Sequence, residues 1–237
     1  MPEPMFVVND LAIRFGAAHV IDSLSFSVDH GEVVGLVGPN GAGKTSTLRA
    51  ISGVIARTAG DLTLEGTSLP RRPDAVAALG VAHVPEGRGL IPSLTVRQNV
   101  ELGAAALGRK VRGPQWEQVL GLFPAIEPFL STRAGLLSGG QQQMVAVARG
   151  LVSDARLIMV DELSLGLAPA VVTDLLEALR SIADSTGAGL LLVDQNVRAL
   201  AEICDRSHTI RDGRGYDVDL EQLDVMHSDY LGSRRTS

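Results

Sequence analysis

Between Val33 and Gly53 the chain passes from a short apolar run, Val33-Val34-Gly35-Leu36-Val37, through Gly38-Pro39-Asn40-Gly41-Ala42-Gly43-Lys44-Thr45 into a helical pattern that ends at Gly53. No other stretch restricts the fold as strongly. A buried strand feeding a glycine-rich turn that opens a helix is the context in which this spacing binds phosphate. The glycines let backbone N–H groups converge on an anion without Cβ clashes, and the helix N-terminus adds roughly half a positive charge. Lys44 offers a full charge to β- and γ-phosphate oxygens, and the Thr45 hydroxyl offers a ligand to Mg²⁺. Gly38, Pro39, Asn40, Gly41, Ala42, Gly43, Lys44, Thr45 and the adjoining Ser46 are therefore the expected binding site for ATP.

The rest of the chain supplies the layers such a loop requires. Short apolar runs alternate with helical patterns, which predicts an α/β domain. Phe6 to Asn9 and Leu24 to Val28 are expected strands of an N-terminal antiparallel region, with Val81 to Val84, Leu157 to Val160 and Leu190 to Val193 in a mixed or parallel central sheet. From about residue 95 to 151 the patterns are helical, punctuated by Pro114, Pro124 and Pro128, and predict a helical subdomain inserted in the nucleotide-binding core. Arg211 to Gly215 predicts a hairpin turn, and Asp219 to Leu231 a terminal helix. Nothing suggests a second independent domain, so residues 1–237 are expected to form one.

Composition narrows the setting. The net charge is −6, which argues against a nucleic-acid partner, since those proteins usually show a basic excess. Cys204 is the single cysteine, so the chain has no internal disulfide and suits a reducing compartment. The first residues lack a basic region followed by an apolar core, which predicts no secretory signal. No apolar run approaches the ~18–20 residues that span a bilayer. Any service to a membrane would be that of a peripheral subunit.

Two further motifs carry chemistry. Leu157-Ile158-Met159-Val160-Asp161-Glu162 is an apolar strand ending in two acids, at the strand end where open α/β sheets bind ligands. Asp161 is the expected Mg²⁺ carboxylate, acting through water, and Glu162 the expected general base that polarises an attacking water. Ser138, Gly139, Gly140 and Gln141 precede a helix running from Gln141 to Leu151, a second anion-binding arrangement. An N-cap accounts for the serine alone, because two glycines cost helix stability.

With Leu137-Ser138-Gly139-Gly140-Gln141 standing between the phosphate loop and the two acids, the chain resembles an ATP-binding cassette (ABC) ATPase over essentially its whole length. The resemblance implies an ABC-type P-loop NTPase fold, with two cassettes facing head to tail and each ATP between one subunit's phosphate loop and the other's Ser138–Gln141 equivalent. Phe15 matches the aromatic that stacks on adenine, a core or hairpin phenylalanine being the alternative. Val84-Pro85-Glu86-Gly87-Arg88, Ser164-Leu165-Gly166-Leu167-Ala168-Pro169, Val193-Asp194-Gln195-Asn196 and Asp229-Tyr230-Leu231-Gly232 resemble the shorter ATPase subunit of importers of branched-chain amino acids and of related amides or urea. That likeness implies a second and different cassette, two membrane permeases, an external binding protein acting indirectly, and a place on the cytoplasmic face of the membrane.

Several positions depart from most cassettes. Gln195 stands where a switch histidine is usual and has no proton that titrates near neutral pH. Glu86 replaces a glutamine and, like it, is an expected Mg²⁺ ligand. Ala168 replaces an aspartate, and Leu163 a proline. These departures keep open a clamp that binds ATP with little hydrolysis. An exporter of similar length also stays open, as does a soluble cassette acting on DNA repair or ribosomes, although the chain has neither a long coiled coil nor paired cassettes.

Overall fold

A computed structural model describes residues 3–219. Asp229–Gly232, Arg234, Arg235 and all but the first residue of the expected terminal helix lie outside the described residues.

The chain runs through β1 (Phe6–Phe15), β2 (Ala18–Val28), β3 (Val33–Val37), α1 (Lys44–Ile51), β4 (Ala59–Leu64), β5 (Thr67–Ser68), α2 (Pro73–Ala78) and β6 (Val81–Val84). Then come α3 (Val96–Ala105), α4 (Gly113–Leu122), two 3₁₀ turns (Pro124–Phe129 and Ala134–Leu136) and α5 (Gly139–Leu151). The core resumes with β7 (Leu157–Asp161), α6 (Pro169–Thr186), β8 (Gly189–Val193), α7 (Val197–Ala201), β9 (Arg206–Arg211) and β10 (Arg214–Val218).

The strands form a 10-stranded sheet in the order β5-β4-β1-β2-β10-β9-β3-β8-β7-β6. Its parallel part, β9-β3-β8-β7-β6, has every residue of β3, β7 and β8 buried, as strands covered on both faces require. Alternate side chains along one strand enter different cores. Val33, Ile158, Val160, Leu190 and Leu192 pack with α3, α5 and α6. Val34, Leu36, Leu157, Met159, Leu191 and Val193 pack with α1 and the N-terminal antiparallel strands β1, β2 and β4. The expected mixed sheet with an antiparallel N-terminal region is thus present, and the elements from Val96 to Leu151 are helical or 3₁₀.

Local chemistry explains the ends. α3 starts at Thr95, whose side chain accepts from the Gln98 amide while Gln98 caps the Thr95 amide, a closed capping box. α6 starts with Pro169 and stops at left-handed Gly187, burying Val172, Leu175, Leu176, Leu179 and Ile182 on one stripe. Asp212 and Gly213, both with positive φ, make the tight hairpin between β9 and β10. Cys204 lies beyond the end of α7, buried against Gly35, and burial pushes its thiol up to about 12.

Candidate nucleotide site

The parallel strands end on one edge, and the candidate residues gather there. β3 delivers the loop Gly38–Gly43, β6 delivers Glu86, β7 delivers Asp161 and Glu162, and β8 delivers Asp194 and Gln195. This is the edge on which open α/β sheets hold ligands.

The loop opens α1 without a side-chain cap. Gly43 is the N-cap at φ +105°, and a Cβ there would stand 2.6 Å from Ile21 Cδ1, so only glycine fits. The first amides of α1 have no intrahelical acceptor and face outward as donors. Lys44 is buried, and its Nζ donates to the carbonyl oxygens of Gly38 at 2.7 Å and Pro39 at 3.1 Å. Burial lowers the Lys44 pKa, while Glu162, Asp161 and Asp194 act the other way.

Asp161 is 1% exposed, and its Oδ1 accepts from the Thr45 hydroxyl at 3.3 Å. Its Oδ2 is buried without a hydrogen-bond partner. Burial pushes the Asp161 carboxyl up to about 6; Glu162 and Glu86 push it further in that direction, against the Thr45 hydrogen bond. A buried, orphaned carboxylate oxygen beside a threonine hydroxyl fits a hard cation that keeps most of its water. Among the described residues no three His, Cys, Asp or Glu side chains group as a metal cage. Mg²⁺ would be held by Thr45 and Asp161, with Glu86 near enough to act on the Asp161 charge.

Glu162 leaves the strand at φ +50°, a conformation that costs a non-glycine residue of order 1–3 kcal/mol. Its amide donates to the Val193 carbonyl at 2.8 Å, which locks the turn to β8. Gln195 Nε2 donates to Glu162 Oε1 at 2.9 Å, so two residues expected to act in catalysis are in direct contact. Asp194 escaped the sequence analysis as a site residue. Its buried carboxylate accepts from the Ser164 amide at 2.6 Å, the Ser164 hydroxyl at 2.8 Å and the Asn196 amide at 2.8 Å. Asp194 thereby clasps the loop after Glu162 to the loop that carries Gln195. Leu163, where a proline is usual, is 1% exposed and anchors the first of those loops in the core.

The second turn expected to bind an anion is built differently. Ser138 is the N-cap of α5; its hydroxyl accepts from the Gln141 amide, and Gln141 Oε1 accepts from the Ser138 amide at 3.1 Å. The helix includes both glycines, starting two residues earlier than expected. Gly140 has a packing reason, since a Cβ there would lie 2.6 Å from Val171 Cγ1 of α6. Among the described residues, no hydrogen bond joins Ser138–Gln141 to the glycine loop or to Asp161. Phe15 ends β1 at 52% exposed, on the same hairpin whose Ile21 closes over Gly43, so its ring is free to meet a planar partner.

Comparison with known proteins bears on the family and the fold. The family model described as "ABC transporter" matches residues 21–164. The high-affinity branched-chain amino acid transport ATP-binding protein BraG of Pseudomonas aeruginosa is 33% identical over 211 residues, 89% of this chain and 90% of that protein. The lipopolysaccharide export system ATP-binding protein LptB of Escherichia coli is 29% identical over 232 residues, 94% of this chain and 95% of that one. A crystal structure of the ADP conformation of an ATP-binding cassette of an ABC transporter superposes with a TM-score of 0.82 at 21% identity, covering 98% of this chain and 100% of its own.

Proposed function

Since the chain belongs to the ABC transporter family, an ATP-hydrolysing family, we propose that it is the ATPase subunit of an importer of branched-chain amino acids or of related amino acids, amides or urea. On this reading residues 1–237 are one nucleotide-binding domain in which about 95–151 form the helical subdomain. It works beside a second, different cassette and two membrane permeases, with an external binding protein acting indirectly. It sits peripherally on the cytoplasmic face of the membrane. Among the described residues no helix is long and apolar enough to cross a membrane.

The observation that carries the hydrolytic role is the cluster of Lys44, Asp161, Glu162 and Gln195 on the strand edge. Lys44 leaves its loop carbonyls to meet β- and γ-phosphate oxygens, and its charge, desolvated in this site, offsets charge developing in the transition state. Thr45 and Asp161 would hold Mg²⁺, which would supply neutralisation of phosphate charge. Glu162 accepts a proton from the attacking water at whichever oxygen faces it. Gln195, fixed at 2.9 Å from Oε1, holds the carboxylate in one orientation and cannot itself take the proton. Phe15 stacks on adenine. Ser138, Gly139, Gly140 and Gln141 face the γ-phosphate of the nucleotide held by the partner cassette. Contacts near Glu86 to Asn99 pass the motion to a permease.

A second reading is an ATP clamp with little hydrolysis. The Gln195 amide on Glu162 Oε1 favours it, because it occupies one of the two oxygens that could take a proton from water. Single-turnover hydrolysis in the assembled complex separates the two. Glu162→Gln should be about 10²–10⁴-fold slower than wild type if Glu162 is the base, and equal rates leave only the clamp. The transport direction is tested by the membrane proteins that co-purify. Two multi-span permeases with a second cassette and an amino-acid-binding protein support import, and a lipid-exporting assembly overturns it.

A further inference from the structure

The loop after β6 carries Glu86 and then three successive residues with positive φ: Gly87 at +74°, Arg88 at +68° and Gly89 at +58°. Arg88 has a Cβ, so this conformation is disfavoured and persists only where surrounding contacts fix it. Those contacts come from α5. Arg149 donates from Nη1 to the Gly89 carbonyl at 2.7 Å and from Nη2 to the Arg88 carbonyl at 3.1 Å. The Arg88 side chain crosses in the opposite direction, and its Nη1 donates to Gln142 Oε1 at 3.1 Å. Gln142 in turn donates its amide to the carbonyls of Ala134 and Leu137, the backbone leading into Ser138. Gly139 leaves the room this crossing needs, since a Cβ there would lie 3.0 Å from Arg88 Nη2. The Glu86 loop is thus tied to both ends of α5, by Arg88 to Gln142 in the first turn and by Arg149 from the last.

We propose that Arg88 is a positioning residue that fastens the loop carrying Glu86 to the turn carrying Ser138–Gln141, so that the acid serving the chain's own nucleotide and the turn serving the partner's move as one piece. This rests on the function proposed above. The guanidinium suits the task because its planar fork spans the gap with a fixed direction, whereas an ammonium would act as a point charge. Nucleotide and Mg²⁺ drawn toward Glu86 would then be felt at α5, and by linkage an anion at α5 would be felt at Glu86.

Hydrogen exchange of the full-length chain, with and without Mg²⁺ and ATP, tests the link. In the wild type, nucleotide should slow exchange at residues 38–48, and by roughly five- to tenfold at residues 139–145, the lower range of coupling between sites. In Arg88→Ala the slowing at 38–48 should persist, while that at 139–145 should fall below about twofold. Gln142→Ala removes the acceptor and should do the same, the double variant should do no more than either, and Arg88→Lys should recover part of the response. A wild type whose 139–145 segment ignores nucleotide, or an Arg88→Ala chain that keeps the full response, overturns the inference while leaving ATP binding intact. No slowing at 38–48 in the wild type overturns the proposed function instead. Should Arg88→Ala also loosen β7 and β8 without nucleotide, the Gln142→Ala chain decides by the same criterion.

Discussion

Helices α1 and α5 both begin in a glycine-rich turn, and their first turns are finished in opposite ways. α1 has no side-chain cap, is entered through left-handed Gly43, and stands beside buried Lys44 and a carboxyl oxygen of Asp161 that lacks a partner. α5 is closed by Ser138 and Gln141, which satisfy each other's amides, and its cap is solvent-exposed. The first turn holds unspent donors, a cation and an orphaned acceptor, so it suits a strongly charged ligand and a metal on its own. The second is neutral and self-satisfied. An anion there must compete with the Gln141–Ser138 contacts, which suits a ligand already held by something else.

The strongest way to break this contrast is to remove the charge at α1. Lys44→Met should lower hydrolysis by roughly 10³-fold, at the upper end for loss of one transition-state donor, measured as phosphate release across a range of ATP concentrations. A loss of equal size from Ser138→Ala would mean that the two turns are equivalent. Next comes Gly140→Ala, which pushes a methyl toward Val171 Cγ1 and displaces the start of α5. Turnover in the assembled complex should fall by about 10²-fold while ATP binding to the isolated chain is unchanged, since a displacement of about an ångström costs that much. Loss of binding in the isolated chain would show that α5 shapes the chain's own site.

Asp161 sharpens the contrast through pH. Its folded value of about 6 lies above an unfolded value of about 3.9. As pH rises the unfolded chain releases this proton first, so a contribution to stability present below about pH 4 is lost as pH climbs through about 6. Asn cannot titrate. Relative to its own difference from wild type at pH 4, Asp161→Asn should gain about 2–3 kcal/mol by pH 7, read by denaturant unfolding without nucleotide, and should lose Mg²⁺-dependent hydrolysis. A pH-independent difference would place the charge elsewhere. The smallest effect is expected from Gln141→Ala. Opening one side of the α5 capping box should cost about 0.5–1 kcal/mol of stability with ATP binding to the chain unaffected.

The contrast itself was only partly legible in the sequence. The strand, turn and helix around Lys44 are contiguous, so local pattern sufficed to find β3 and α1. The serine and glutamine of the α5 box are also local, but the reason for Gly140 is Val171, on another helix, and no spacing reveals it. The same holds for the clasp of Asp194 on Ser164 and for Gln195 on Glu162, contacts between residues about 30 apart that exist only because β7 and β8 are neighbours. β4 was missed for a different reason. Ala59-Gly60-Asp61 lacks the β-branched content of a strand, and the segment is extended because it pairs with β1, with Gly60 admitting the Leu11 backbone. Arg88 stood in the sequence only as the end of the Val84–Arg88 motif, and its partner Gln142 lies 54 residues on, where no local spacing reveals it.

Cys204 has a practical corollary. Thiol reagents attack the thiolate, and a buried sulfur held as a thiol up to about 12 offers them neither access nor charge. The natural chain is therefore close to silent toward maleimide dyes and spin labels without replacing its own cysteine. A single new cysteine at Leu136, 77% exposed and two residues ahead of Ser138, would give a reporter beside the α5 turn in an otherwise unaltered protein.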